Sequence, residues 1–337
     1  MTVREAVSCI QVQLHAAGLD EPLREAQLLV AACLGWTRAY LIAHADVPLS
    51  AQQAQRLHCW ARRRAQREPL AYLTRRAWFY GLPLVVGRGA LIPRPETELL
   101  VEVFLEWAQG KAHFLSHDKG KTVQHEIAER CTLFPSTGAE EQAHRVALTP
   151  SSRAGGGSEA HNCPQADRPI LVDAGTGTGA VALACLRHAP NWLGIGIDCS
   201  RRALQLAHRN RRALGLESRL LLLQGNWLCG LRAQSVDAVL SNPPYVLPDE
   251  WDWLAPEITR YEPKSALLVP ADDPLRPYRQ IAQAARLVMR IGGLLAFETS
   301  PRLAPLVAAQ LPVWGFPEPQ VVCDYSGAMR VVRATRA

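Results

Sequence analysis

After Arg168 the chain alternates short apolar runs with amphipathic ones, and this alternation limits the possible folds more than any other feature. Strands are predicted at Ile170 to Val172, Leu193 to Ile197, Leu220 to Leu223, Val236 to Leu240 and Leu294 to Glu298. Helices are predicted up to Arg187 and over Arg201 to Leu214, Tyr278 to Arg290 and Arg302 to Leu311. Strand and helix in alternation imply a doubly wound, mostly parallel sheet with helices on both faces. A closing pair, Val321 to Cys323 with Arg330 to Arg333, predicts a hairpin that leaves an antiparallel strand at one edge.

The first 75 residues follow a different period and predict a small helical domain. Thr2 with Glu5 makes a capping box ahead of the stripe Val3, Ala6, Val7, Ile10 and Leu14, which ends at Gly18. A second helix runs from about Pro22 to Gly35, and Ser50 with Gln53 opens a third that Pro69 stops. From Tyr72 the pattern turns to β-branched and aromatic residues broken by Gly81, Gly87 and Gly89, which predicts a β-hairpin linker over 76–92. A helix starting after Pro95 assigns 93–108 to the same α/β domain as 168–337.

Between them, residues 109–167 hold only 8 of Leu, Ile, Val and Phe in 59 positions, with a Gly155–Gly157 run. That offers too little apolar surface to offset the entropy of ordering, so a low-complexity, disordered insertion is expected, read as a tether, a partner site or, by preference, a neutral expansion. Its five histidines and two cysteines fit no zinc spacing, and no metal is expected. The nine cysteines of the chain include no C-x-x-C pair and read as single thiols. No apolar run reaches the ~20 residues that cross a bilayer and no basic leader opens the chain, so the expectation is a cytoplasmic protein without a membrane partner. The formal net charge of +6 is spread out, with 9 Arg against 6 acids in the first 75 residues. The clusters Arg62, Arg63, Arg64 and Arg67 and Arg201, Arg202, Arg209, Arg211 and Arg212 read as solvated helix faces, and no direct nucleic-acid binding is expected.

Two segments carry chemistry. Asp173-Ala174-Gly175-Thr176-Gly177-Thr178-Gly179 follows the first strand of the sheet and opens a helix, so its backbone can approach a ligand at the carboxyl edge. The spacing is G-x-G-x-G, a poor match to the dinucleotide fingerprint. Asp198 ends the next strand, where a carboxylate accepts both hydroxyls of a ribose, and the pair points to a nucleoside-bearing cofactor. Asn242-Pro243-Pro244-Tyr245 leaves the fourth strand on the same edge. The Asn242 side-chain carbonyl and the Pro243 carbonyl are two acceptors for one planar NH2, and Tyr245 can stack on it. Holding both N–H bonds aims the nitrogen lone pair out of plane, which suits methylation of a poorly nucleophilic amide or amine, with Asn242, Pro243 and Tyr245 as the catalytic candidates.

With these placed, the chain resembles the class I S-adenosylmethionine-dependent methyltransferases, and more narrowly the release factor glutamine methyltransferases (PrmC/HemK). The narrower likeness rests on Leu70-Ala71-Tyr72-Leu73-Thr74, Leu91-Ile92-Pro93-Arg94-Pro95-Glu96-Thr97-Glu98, Asn242 to Tyr245, Glu262-Pro263 with Ala266-Leu267, Tyr278-Arg279-Gln280-Ile281, and Asp324-Tyr325-Ser326-Gly327 with Arg330. It implies a seven-stranded methyltransferase sheet, with the methionine part of S-adenosylmethionine held by Asp173, Gly175, Thr176, Gly177, Thr178 and Gly179. It further implies the ribose on Asp198, the adenine on Trp227, and Asn242 serving both cofactor and substrate. Asn242, Pro243, Pro244 and Tyr245 would hold the glutamine of the Gly-Gly-Gln loop of a class 1 peptide release factor, bound by a monomer. Asn226, Arg75, Pro274 and Ser300 stand where the family usually has an acid and three glycines. The rival readings are a nucleic-acid amino methyltransferase acting on adenine or guanine, which needs a sizeable recognition element to flip its base, and a non-catalytic scaffold.

Overall fold

The computed structural model describes residues 1–112 and 168–337. Helices Val3–Ala16, Pro22–Leu34, Arg38–Ala43, Ala51–Ala65 and Leu70–Thr74 form the N-terminal unit. Both capping boxes close: Thr2 accepts from the Glu5 N–H at 3.2 Å and Ser50 from the Gln53 N–H at 3.2 Å, with the return bonds made by the Glu5 and Gln53 side chains. The stripe residues Val3, Ala6, Ile10 and Leu14 meet Leu29, Val30 and Leu57 in one core. Two helices went unread. Arg38–Ala43, capped by Thr37, is too short to show a period, and Leu70–Thr74 lies across Tyr72, where the pattern turns to β-branched and aromatic residues.

That last helix ends on Arg75 in the left-handed region, at φ 55, a conformation in which the glycine usual at this position in the family would carry no strain. The hairpin follows as β1 (Arg76–Phe79) and β2 (Leu82–Val85). Tyr80 and Gly81 sit between the paired Phe79 and Leu82, both at positive φ, as a two-residue turn matched to strand twist demands. Residues Pro95–Thr97 then form a 3₁₀ turn into helix Glu98–Ala112. This helix continues four residues into the insertion expected from 109, and the rest of that insertion, with the disorder expected there, lies outside the described residues.

Among the described residues the main sheet has seven strands: β3 (Ile170–Ala174), β4 (Leu193–Asp198), β5 (Leu220–Gln224), β6 (Val236–Ser241), β7 (Met289–Glu298), β8 (Gln320–Cys323) and β9 (Met329–Thr335). Their spatial order is β5-β4-β3-β6-β7-β9-β8. The first five in that order run parallel, whereas β9 is antiparallel to β7 and β8 antiparallel to β9, which places the antiparallel hairpin at one edge as its sequence implies. Side chains of β3 alternate between two cores: Ile170, Val172 and Ala174 pack with helices Arg276–Val288 and Ala304–Gln310, and Leu171 with helices Glu98–Ala112 and Ala180–His188. Strand β7 begins five residues earlier than predicted. Gly292 and Gly293 hide its start in the sequence, and Gly293 must be glycine because a Cβ there would meet the Asp237 carbonyl at 2.8 Å.

One charge expectation is overturned. Arg64 is not on a solvated face: it is buried at 6% exposure, ion-paired with Glu25 in its own unit and at 2.9 Å with Glu257 in the loop after β6. Arg67 reaches the same Glu257 at 3.4 Å, and the Tyr261 hydroxyl donates to the Gln66 carbonyl at 2.8 Å. A guanidinium serves here because it satisfies two carboxylates and a backbone carbonyl at once. Arg64→Ala would strand Glu25 and Glu257, so urea unfolding should show a loss of about 3 kcal/mol, and a loss below about 1 kcal/mol would mean that water screens the cluster.

Candidate active site

The Gly-rich turn is built by hydrogen bonds that run between neighbouring strands. At the end of β3, the N–H groups of Gly175 and Thr176 both donate to the Ile197 carbonyl, at 2.8 and 2.9 Å. Gly177 N–H donates to one oxygen of Asp198 at 2.8 Å, and Ser200 N–H to the other at 2.7 Å. Each carboxylate oxygen keeps a second lone pair, so Asp198 can brace the turn and still accept from a ligand. Asp173, buried beneath, accepts from the Thr176 hydroxyl at 2.7 Å and the Ala182 N–H at 3.1 Å. Glycine is required at Gly179, where φ is 82 and a Cβ would stand 3.1 Å from Leu183 Cδ1. Asn210 locks the far side, donating to the Thr178 carbonyl at 2.9 Å while bonding both the N–H and carbonyl of Val85 on the hairpin.

A cavity of about 410 Å³ opens over this edge of the sheet. Asp173, Gly175, Thr176, Gly177, Thr178, Asp198, Trp227, Asn242 and Pro244 line it, so the turn, the ribose candidate and the Asn-Pro-Pro-Tyr loop are brought to one place. Gly179, Pro243 and Tyr245 are not in its wall. Gly179 is the N-cap behind the turn, Pro243 is buried, and Tyr245 is half-buried against the core. Trp227 sits at positive φ (50), its indole N–H donating to Gln280 Oε1 at 3.0 Å, and a Cβ on Gly175 would lie 3.5 Å from its ring.

Much of the remaining wall comes from segments whose residue types alone assign no chemistry: Gly89, Ala90, Leu91, Pro93, Arg94 and Thr97 between the hairpin and helix Glu98–Ala112, Cys199, Ser200 and Arg202 after β4, and Pro263, Ser265 and Ala266 from the loop after β6. Two of these segments hold each other. Buried Glu262 takes the Arg94 guanidinium at 2.5 Å and the Ile92 N–H at 3.0 Å, which lays the Ile-Pro-Arg-Pro-Glu-Thr stretch along the cavity. Thr97 closes the link to the Asn-Pro-Pro-Tyr loop: Asn242 Nδ2 donates to Thr97 Oγ1 at 3.1 Å. The signal that could have found Thr97 is its place in the Leu91 to Glu98 segment that carries part of the resemblance.

Residues 5–74 match the family described as PrmC N-terminal domain, and residues 160–254 match the methyltransferase small domain. Over the whole length, the chain is 31% identical to the release factor glutamine methyltransferase of Caulobacter vibrioides, covering 98% of this chain and 96% of that one. It is also 31% identical to the enzyme of that name from Cereibacter sphaeroides, with 99% and 98% covered, and 30% identical to that of Moorella thermoacetica, with 100% and 99% covered. The chain belongs to the release factor glutamine methyltransferase family. In this family member the PrmC N-terminal match corresponds to the helical unit, and the methyltransferase match holds both the Gly-rich turn and the Asn-Pro-Pro-Tyr loop. Among the described residues no helix is long and apolar enough to cross a membrane.

Burial dominates the electrostatics of the site. It pushes the Asp173 carboxyl up from 3.8 to about 6, against the pull of its bonds from Thr176 and Ala182 and with the nearby Asp198 charge adding to the rise. Burial raises Asp198 as well, opposed by the Ser200 and Gly177 N–H groups. A carboxyl raised in the folded state gives stability that is complete below its unfolded value and is lost as pH climbs through its folded one. Asp173→Asn removes that loss, so the melting temperature of the variant relative to the parent should grow from about pH 4 to about pH 6 and then level off; a difference that stays flat in thermal melts across this window would contradict the assignment.

Proposed function

We propose that this chain transfers a methyl group from S-adenosylmethionine to the side-chain amide nitrogen of the glutamine in the Gly-Gly-Gln motif of class 1 peptide release factors. The observation that carries this reading is the hydrogen bond from Asn242 Nδ2 to Thr97. With its NH2 engaged there, the Asn242 amide turns its carbonyl oxygen the other way, as an acceptor beside the cavity that also holds Asp198 and the Gly-rich turn.

The site fits the cofactor that the family implies. The turn from Gly175 to Thr178 brings backbone close to where its methionine part would lie, Asp198 has lone pairs free for two ribose hydroxyls, and Trp227 offers a ring face for the adenine. When bound, the cofactor supplies an electrophilic methyl on a sulfonium that carries its own leaving group. The chain's residues then have a positioning task. Asn242 accepts one N–H of the substrate amide, and the backbone carbonyl of Pro243 is the second acceptor. With both N–H bonds held in plane, the nitrogen lone pair faces the methyl donor, and this alignment provides most of the acceleration. Pro244 in the cavity wall and Tyr245 behind it hold the rest of the glutamine side chain.

A nucleic-acid substrate has less support, because Arg64 and Arg67 of the basic helix are occupied by Glu25 and Glu257 and are not displayed. The deciding experiment offers labelled S-adenosylmethionine with purified class 1 release factor, duplex DNA or ribosomal RNA, and locates the label by mass spectrometry. Methyl on the glutamine of Gly-Gly-Gln is the expected result, and label on nucleic acid alone would overturn the reading. Asn242→Ala should fold normally by circular dichroism and lose transfer by at least about 100-fold, whereas turnover at the parental rate would rule out the two-acceptor arrangement.

A further inference from the structure

Glu298 closes β7 with 0% of its surface exposed, and neither of its carboxylate oxygens has a hydrogen-bond partner of ordinary geometry. A buried, open carboxylate is costly and calls for an explanation. Tyr278, its buried neighbour, does not serve it, since the Tyr278 hydroxyl donates to Thr299 Oγ1 at 3.1 Å. The groups that favour its charge are the Thr97 hydroxyl, the Arg330 guanidinium and the Tyr245 hydroxyl. Thr97 bonds Asn242, and the register that pairs Ser241 with Phe297 sets Glu298 on the strand beside the start of the amide-holding loop.

We propose that Thr97 and Glu298 are positioning residues that decide which end of the Asn242 amide faces the substrate. The inference rests on the methyl-transfer reading and deepens it. A carboxylate only accepts, and a threonine hydroxyl has one proton to give. When Thr97 turns that proton to Glu298, its oxygen can only accept, and the group it accepts from is Asn242 Nδ2, at 3.1 Å. The amide carbonyl is thereby aimed away from Thr97, as an acceptor for a substrate N–H. The Tyr245 hydroxyl is the second one that favours the charge of the same carboxylate. One buried negative charge therefore fixes the direction of the hydrogen bond between Thr97 and Asn242.

Protonation of Glu298 would release this constraint. The carboxyl could then donate to Thr97, Thr97 to the Asn242 oxygen, and the amide would present its own NH2 to the NH2 of the substrate. Burial raises the Glu298 carboxyl from 4.5 to about 7, offset by Thr97, Arg330 and Tyr245 and reinforced by Glu96. Arg330 is shared with Asp324 at 3.3 Å, Tyr278 faces the same carboxylate, and Arg94 acts on the neighbouring Tyr245. The turning point of the relay thus falls within the working range of pH.

Three variants test this. Thr97→Val, of nearly the same shape, should lower kcat by about 10- to 100-fold, and Thr97→Ser should recover most of the loss. The parent's kcat should fall as pH drops through about 7, and Glu298→Gln should lose that limb; the same limb in Glu298→Gln, or parental kcat in Thr97→Val, overturns the proposal. A readout without substrate separates this from the functional reading. The Asn242 side-chain NH2 protons, identified in NMR spectra by their absence in Asn242→Asp, should exchange with solvent about 10-fold faster in Thr97→Val than in the parent or Thr97→Ser, and equal exchange in all three sinks the proposal whatever the substrate proves to be.

Discussion

The structure depends on a reversal of strand order at β3. Because β3 pairs with β4 on one side and β6 on the other, the chain segments leaving these parallel strands diverge, and a crevice must open at their carboxyl ends. Everything placed in that crevice is placed by backbone pairing. The Gly-rich turn leaves β3, Asp198 ends β4, and Asn242 follows β6 at once. Their convergence follows from adjacent, in-register strands and requires no attraction between the side chains themselves. The register pairs Ala174 with both Ile197 and Ser241, so three successive strands finish level with one another.

A crevice alone would be open to water. Here its roof is assembled from the linker and from the long loop between β6 and the helix Arg276–Val288, and the two are joined by charge. Glu262 holds Arg94 and the Ile92 backbone, while five residues earlier Glu257 holds Arg64 and Arg67 of the helical unit. The Tyr72 hydroxyl, buried, donates to the Ala90 carbonyl at 2.9 Å and fixes the linker to the last helix of that unit. The same loop that begins with Asn-Pro-Pro-Tyr therefore also sets the position of the helical unit.

Much of this could be read in the chain. The parallel sheet with its antiparallel edge hairpin was legible because fully covered strands are short continuous apolar runs, and both capping boxes because capping is local. Helices Arg38–Ala43 and Leu70–Thr74 were not legible, since five or six residues complete too few turns to show a period. Arg64 misled for a different reason. Its neighbours Arg62 and Arg63 share its type, and nothing local marks Arg64 as pointing to a carboxylate 193 residues away. Thr97 was quoted only as part of a motif, because a threonine carries no chemistry until its partners are known.

The sequence by itself determined the parallel sheet, the Gly-rich turn at the end of its first strand, and the identity of the acceptors that leave its fourth, because apolar period, glycine and side-chain donors are properties of residues in order. Only the tertiary structure decided which groups enclose the cavity and in which direction the hydrogen bonds around Asn242 run. Asn242 gives its side-chain N–H to Thr97, which lies 145 positions earlier in the chain. Hydrogen-bond polarity passes through contact, and contact between distant segments is what folding alone supplies.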